Sequence, residues 1–216
     1  MDPYALLRSL AAVATIAACA STPAPAPDPL RVLVYNIHAG KDAAGEVNLA
    51  RVAAVIGDAG ADVVLLQEVD RGTRRAGGSY EPRGALRVVV DAPGGVVGIV
   101  NTHLDPSRSD AYRRQEVEAV RRIAADLRAR HPRTIVGGDF NAEPGSATIG
   151  SMLADGWRDA WSECGAGDGG TYPADAPIKR IDYVLLAPGF GCADARVVPT
   201  TTSDHRPVLV TLTGGP

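Results

Sequence analysis

Apolar and polar positions alternate in a readable order from residue 30 onward. Residues 31–35 read as a buried strand, and residues 61–66 as a second. Between them Asn48 is placed to cap a helix whose apolar positions Leu49, Val52, Val55 and Ile56 share one face. Residues 85–90 and 96–100 flank Ala92-Pro93-Gly94-Gly95, the signal of a hairpin. The longest helix is expected from a cap at Ser109 or Asp110 to about Arg130, with Val117, Val120, Ala124 and Leu127 facing inward. His131-Pro132 ends it, because a proline disfavours helical backbone in the residue before it. A strand at 134–136 and a short helix at 146–155 follow, and 181–186 and 207–212 read as the last two strands. No repeat or internal linker interrupts the order.

A hairpin together with crossover helices implies mixed rather than wholly parallel sheets. An α+β architecture of two facing sheets with helices outside accommodates this element count. The pattern alone leaves a single covered sheet equally open.

Polar residues break the strands at one end only. Asn36-Ile37-His38 follows the first strand, Gln67-Glu68 the second, Asn101-Thr102-His103 the hairpin, and Gly137-Gly138-Asp139-Phe140-Asn141 the 134–136 strand. In the last two strands the order reverses: Asp182 precedes Val184, and Ser203-Asp204-His205 precedes Val208. If those two run antiparallel to the others, all six clusters meet at one edge. Carboxylates, amides and imidazoles gathered at one edge are costly to leave unpaired, and a divalent cation would offset carboxylate repulsion. Oxygen ligands, few in number, suggest Mg2+ or Mn2+. No H-x-x-x-H or C-x-x-C pair is present, which argues against a structural zinc site.

Composition narrows the picture. The chain has 216 residues, 45% of them apolar, enough for one domain with a sizeable core. A formal net charge of −3 argues against a surface that coats nucleic acid. The arginine-rich run at 113–133 reads as a solvated helix face, with a local basic groove as the alternative. Residues 9–18 form an apolar stretch too short to span a bilayer but of the length of a secretory signal core. Ile16-Ala17-Ala18-Cys19 resembles a bacterial lipobox, in which Cys19 would carry lipid, while Ala18-Cys19-Ala20 fits ordinary cleavage and an uncleaved helix is the plain alternative. Residues 21–29 hold four prolines and suit an extended tether. The expected division is therefore a signal at 1–20, a tether at 21–29 and a domain at 30–213, exported to the periplasm, to a membrane anchor or to the medium. Cys164 and Cys192 are left either to pair in an oxidising compartment or to stay as buried thiols.

Six segments carry a family resemblance: Tyr35-Asn36-Ile37-His38, Leu66-Gln67-Glu68-Val69-Asp70, Asn101-Thr102-His103-Leu104, Gly138-Asp139-Phe140-Asn141, Arg180-Ile181-Asp182-Tyr183-Val184 and Ser203-Asp204-His205-Arg206-Pro207-Val208. In this order they resemble the motif set of the DNase-I-like endonuclease/exonuclease/phosphatase superfamily, over about residues 30–212. The resemblance implies a four-layer α/β/β/α sandwich and Mg2+-dependent hydrolysis of phosphodiesters or phosphomonoesters. It makes Glu68 the principal metal ligand, helped by Asn36, with Asp204 supporting that ion or a second one. Asp182 and His205 match the carboxylate–imidazole pair, Asp139 the residue that orients and deprotonates water, and Asn141 a donor to phosphate oxygens. His103 would contact phosphate or protonate the leaving group, with a satisfied buried histidine as its plain alternative. His38 is a weaker candidate of the same kind, and His131 belongs to the loop.

One departure stands out. Between Glu68 and Asn101 the chain is shorter than the family pattern, so one sheet is expected to lose strands and expose an edge that dimerisation would cover. One wall of the cleft is in doubt, with Tyr80 a weak candidate remnant. The leading expectation is an exported phosphoesterase acting on nucleic acid, a phospholipid head group or an inositol phosphate. The alternative is a truncated, non-catalytic binding module of the same fold.

Overall fold

The computed structural model describes residues 28–69 and 83–214; the signal, most of the tether, Cys19 and Tyr80 lie outside the described residues. In chain order the elements begin with β1 (Leu30–Asn36), α1 (Leu49–Ala59), β2 (Val63–Gln67), β3 (Ala85–Ala92), β4 (Gly95–His103) and α2 (Ala111–Arg130). They continue with β5 (Thr134–Asp139), α3 (Ala147–Ala154), β6 (Arg158–Asp159), α4 (Ala160–Cys164), β7 (Asp182–Leu186), β8 (Phe190–Val197) and β9 (Val208–Gly214). A four-stranded sheet is ordered β2-β1-β9-β8 and a five-stranded sheet β3-β4-β5-β7-β6. Both are mixed: β1–β2 and β4–β5 are parallel, and the remaining pairs are antiparallel.

The apolar runs are continuous because the central strands are covered on both faces. On β1, Val32 and Val34 meet Ile99, Ile135 and Val184 of the other sheet, whereas Leu33 and Tyr35 face α1 through Ile56, Val52 and Ala59. On the far side Val117, Val120, Ala124 and Leu127 of α2 pack over Val100, Val136 and Leu185. The layers are therefore α/β/β/α, as the resemblance implied. The two sheets approach closely at β5. A Cβ on Gly137 would lie 2.6 Å from Leu65 Cδ1 and 3.0 Å from Val34 Cγ2. Gly138, at φ +141°, leaves no room at all, since its Cβ would fall 1.9 Å from Thr102 O.

Three expectations need correction. The strands at 181–186 and 207–212 are not the last two, because β8 lies between them on the sheet edge. Its alternation is broken by a register shift between Cys192 and Asp194, which hides the period of two. Leu49 does not share the buried face of α1 but is 58% exposed. Asn48 precedes α1 without capping it through its side chain; its Nδ2 donates instead to Thr202 O at 3.1 Å, which ties the helix start to the 200–205 loop.

Within the arginine-rich run Arg121 pairs with Glu118 and Asp155 and Arg130 with Asp126, while buried Arg113 donates to the carbonyls of Asp105 and Ser107. Cys164 and Cys192 are joined as a disulfide, with Cα atoms 5.8 Å apart, linking α4 to β8 across the two sheets. The shortening expected after Glu68 coincides with β2 standing at the edge of the four-stranded sheet.

Candidate active site

Strand register places three predicted residues in one row. His103 ends β4 opposite Asp139 at the end of β5, and Asp139 stands opposite Asp182, the first residue of β7. Directly opposed residues project to the same face, so the three side chains converge. In the other sheet Asn36 ends β1, and Glu68 follows β2. The loop before β9 adds Asp204 and His205, held against β1 by Ser203 Oγ, which donates to Asn36 O at 2.7 Å, and by the Tyr35–Thr202 hydroxyl pair at 2.6 Å. The antiparallel sense of β7 and β9 brings all six polar clusters to one edge, as the reversed order in the sequence required.

Backbone strain concentrates here. Among the described residues, four non-glycine positions have positive φ: His38, Ala39, Glu68 and Asn141. A left-handed glutamate is sterically costly and persists only where its surroundings hold it. Here the turn aims Glu68 at Asn36, whose Nδ2 donates to Glu68 Oε1 at 3.2 Å and to Asp139 Oδ2 at 3.1 Å. The amide thus bridges two carboxylates. Across the same edge Gln67 Nε2 donates to Asn101 Oδ1 at 2.7 Å, and Asn101 Nδ2 to Leu66 O at 2.8 Å, which pins the two sheets together beneath the site.

Asp139 is the electrostatic centre. It is 1% exposed, its Oδ1 accepts from Asn141 N at 2.8 Å, and its Oδ2 lies 3.4 Å from His103 Nε2 and 3.7 Å from His205 Nε2. Burial, reinforced by the neighbouring Asp182 charge, lifts its carboxyl well above the usual carboxylate range, against the pull of His205 and two N–H donors. His205 Nδ1 meets Asp182 Oδ2 at 2.9 Å. Burial works against its charge, but Asp182, with Asp139 and Asp204 behind it, prevails and raises the imidazole to about 10. His103 moves the opposite way, to about 3, through burial and the adjacent Arg83 and His205 charges.

Glu68, His103, Asp139, Asn141, Asp204 and His205 line one cavity of about 610 Å³. Asn36 and Asp182 stand directly behind it, 1% and 2% exposed. Every predicted site residue is therefore present at one place. His38 is at the margin, its Nδ1 3.7 Å from Asp204 Oδ1. Among the cavity residues that sequence reasoning did not place at the site are Arg83, Arg108, Arg113, Glu143, Lys179 and Tyr172. The Tyr172 ring sits 4.9 Å from that of His205 and tilts over it. A tyrosine in an irregular loop carries no periodic signal; its place shortly before the Arg180-Ile181-Asp182 motif was the only hint.

The fold and the site define a class: a four-layer sandwich with an acidic and imidazole centre where the strand ends of both sheets meet. The Endonuclease/Exonuclease/phosphatase family profile matches residues 33–205, and the chain belongs to that family. No curated protein matches it. Among solved structures, an endonuclease/exonuclease/phosphatase from Beutenbergia cavernae superposes with a TM-score of 0.69 at 21% identity, over 87% of this chain and 72% of that one. A mannosyl-6-phosphatase from Bacteroides thetaiotaomicron gives 0.64 at 16%, over 85% and 99%. TDP2 from C. elegans gives 0.63 at 16%, over 86% and 75%. At these identities the likeness establishes the fold.

Proposed function

We propose that this chain hydrolyses phosphate esters with the help of a divalent cation, Mg2+ or Mn2+. The observation that carries the reading is Asp139: a buried carboxylate of raised proton affinity, placed between a neutral and a charged imidazole at the wall of an open cavity. Membership of a family of phosphoesterases supports it.

The donor chemistry fits a hard cation. Asp139 and Asp182 oppose each other in a buried place, Asp182 Oδ1 has no hydrogen-bond partner among the described residues, and a single Asn36 amide is shared between Glu68 and Asp139. Ligand atoms of Asp139, Asp182 and His205 come within 4.8 Å of one another. His205 is the poorest ligand of these, because its Nδ1 is committed to Asp182 and its ring is held charged. We therefore propose oxygen donors for the ion, and take Glu68, Asn36 and Asp204 as those donors on the strength of the family resemblance. When bound, it would neutralise charge on the phosphate oxygens.

The remaining work falls to the chain's own groups. Asn141 N–H holds Asp139 Oδ1 and Asn36 Nδ2 takes one lone pair of Oδ2, which leaves the other lone pair of Oδ2 to orient a water and take its proton. One N–H of Asn141 Nδ2 is spent on Leu104 O at 3.0 Å, and the other is available to a phosphate oxygen. The charged His205 ring presents Nε2–H to the same region, so donors are in place where negative charge develops.

The test is hydrolysis of bis-p-nitrophenyl phosphate by the wild type with Mg2+ or Mn2+, with a chelator, and by Asp139→Asn. Turnover that survives chelation, or an Asp139→Asn enzyme as fast as the wild type, rejects the mechanism. Binding of phosphate compounds without any turnover would instead support the non-catalytic alternative.

For location we propose export, with Cys19 as a lipid attachment point. The Cys164–Cys192 disulfide supports an oxidising compartment. Labelling with a fatty-acid analogue, lost in Cys19→Ala, would support attachment, and an unlabelled wild type would exclude it. The β2 edge, unpaired among the described residues, is where we place a dimer contact, and gel filtration at the mass of one chain would exclude it.

A further inference from the structure

We propose that Arg83 is a positioning residue that locks His103 as the neutral tautomer protonated on Nε2. His103 is then a fixed hydrogen-bond donor to the substrate phosphate and not the acid that protonates the leaving group. The catalytic half of this inference rests on the phosphoesterase reading; the tautomer does not.

Arg83 Nη1 lies 3.0 Å from His103 Nδ1. A guanidinium carries only donors, so the Nδ1 atom facing it must offer a lone pair. A neutral imidazole has one N–H, which then sits on Nε2. On the other side Nε2 lies 3.4 Å from Asp139 Oδ2 without a hydrogen bond between them, so a proton on Nε2 is favoured by the carboxylate's charge and its N–H stays available to a phosphate oxygen. The opposite tautomer would face N–H against N–H at Arg83 and a lone pair against the carboxylate at Asp139. A doubly protonated ring would keep the first of those clashes.

The contact is built into the fold. Thr102 Oγ1 donates to Gly84 O at 3.1 Å, and the β3–β4 ladder pairs Ala85 with Thr102, so the chain just before β3 is held beside the end of β4. Arg83 is the first described residue after the shortened segment, and it lines the same cavity as His103.

The two imidazoles of the site have opposite partners on the same ring atom. His205 Nδ1 faces an acceptor, Asp182 Oδ2 at 2.9 Å, whereas His103 Nδ1 faces a donor. The first arrangement favours a ring with two N–H groups and the second a ring with one. Pairs of like groups driven apart by their surroundings mark a division of acid and donor roles. Of the two candidate roles for His103, contact with phosphate is the one its surroundings allow, and His205 is left as the imidazolium of the site.

Nitrogen-15 NMR of the histidine-labelled full chain reads the tautomer directly. The chain has four histidines, and the His103 signals are identified by their loss in His103→Gln. We expect an acceptor-type Nδ1 and a protonated Nε2 in the wild type, a shift toward the other forms in Arg83→Met, and retention in Arg83→Lys, which keeps a donor. On bis-p-nitrophenyl phosphate Arg83→Met should lower kcat about 10–100-fold, the scale for removing a group that orients an active side chain, with KM little changed and Arg83→Lys recovering most of the loss. A protonated Nδ1 in the wild type, or an unchanged His103 spectrum in Arg83→Met, overturns the proposal. The expected spectrum in a protein without turnover overturns only its catalytic half, and marks that as a failure of the phosphoesterase reading.

Discussion

Asp139 and Asp182 stand opposite one another in the β5–β7 ladder, and one imidazole, His205, reaches both carboxylates, at 2.9 Å to Asp182 and 3.7 Å to Asp139. Two buried acids on neighbouring strands would repel each other. The imidazolium between them offsets part of that repulsion, and burial still leaves the Asp139 carboxyl raised.

The clearest kinetic consequence concerns Asp182. Asp182→Asn keeps the shape and removes the charge that holds His205 protonated. Turnover of bis-p-nitrophenyl phosphate should fall about 10²–10⁴-fold, the usual worth of a positioned acid or base. Because the two residues act as a unit, Asp182→Asn/His205→Gln should lose much less than the product of the two single losses. A fully multiplicative loss would show that the pair does not act as one.

The stability of the ion-free protein should depend on pH through the same histidine. His205 rises from an ordinary 6.5 to about 10 on folding, so the folded state binds its proton more tightly than the unfolded chain. The stabilisation is therefore fully present below about 6.5 and is lost as pH rises through about 10. Thermal melting in chelator should show Tm falling across this window in the wild type and a flatter profile in His205→Gln. Parallel profiles would contradict the raised value.

The close approach of the sheets at β5 gives a packing prediction. Gly137→Ala would press Cβ to 2.6 Å from Leu65 Cδ1. Urea unfolding should show a loss of about 1–3 kcal/mol, the range for overpacking a core. Gly138→Ala should cost more, since its Cβ would meet backbone at Thr102 O, which cannot swing aside as a side chain can. The reverse ranking would argue against this register.

The disulfide closes a loop of sequence separation 28. Reduction, or Cys164→Ser/Cys192→Ser, should cost about 3.5 kcal/mol of unfolding free energy by loop-closure entropy. Turnover should be unaffected, because neither cysteine lines the cavity of the active residues. A loss of activity at temperatures where the protein stays folded would connect α4 to the site in a way its contacts do not suggest.

Much of the fold was legible because burial imposes a period. Val117, Val120, Ala124 and Leu127 recur at helical spacing and do lie inward, and the 32–35 run is uniformly apolar because β1 is covered twice. β8 was not legible: an edge strand with a bulge has one half-buried face, and its Gly191, Asp194 and Arg196 erase the alternation. Leu49 looked like a core residue because spacing reports the face of a helix but not where its neighbours end. The site residues were legible because strand ends that face a shared cavity must carry polar side chains there. Arg83 and Tyr172 were not, since both act from loops whose position no periodicity records.

By itself the sequence determined the order of the central strands and the longer helices, the one-ended placement of Asn36, Glu68, His103, Asp139, Asp182, Asp204 and His205, and the family likeness those residues carry. Only the tertiary structure decided register and neighbourhood: that Asp139 sits between His103 and Asp182, that Cys164 and Cys192 meet, and that one imidazole faces an arginine and the other an aspartate. The reason is physical. Hydrophobic pattern is a local consequence of which face is buried, whereas the proton on a histidine depends on a hydrogen-bond partner that may lie twenty residues away along the chain, brought near only when two strands pair.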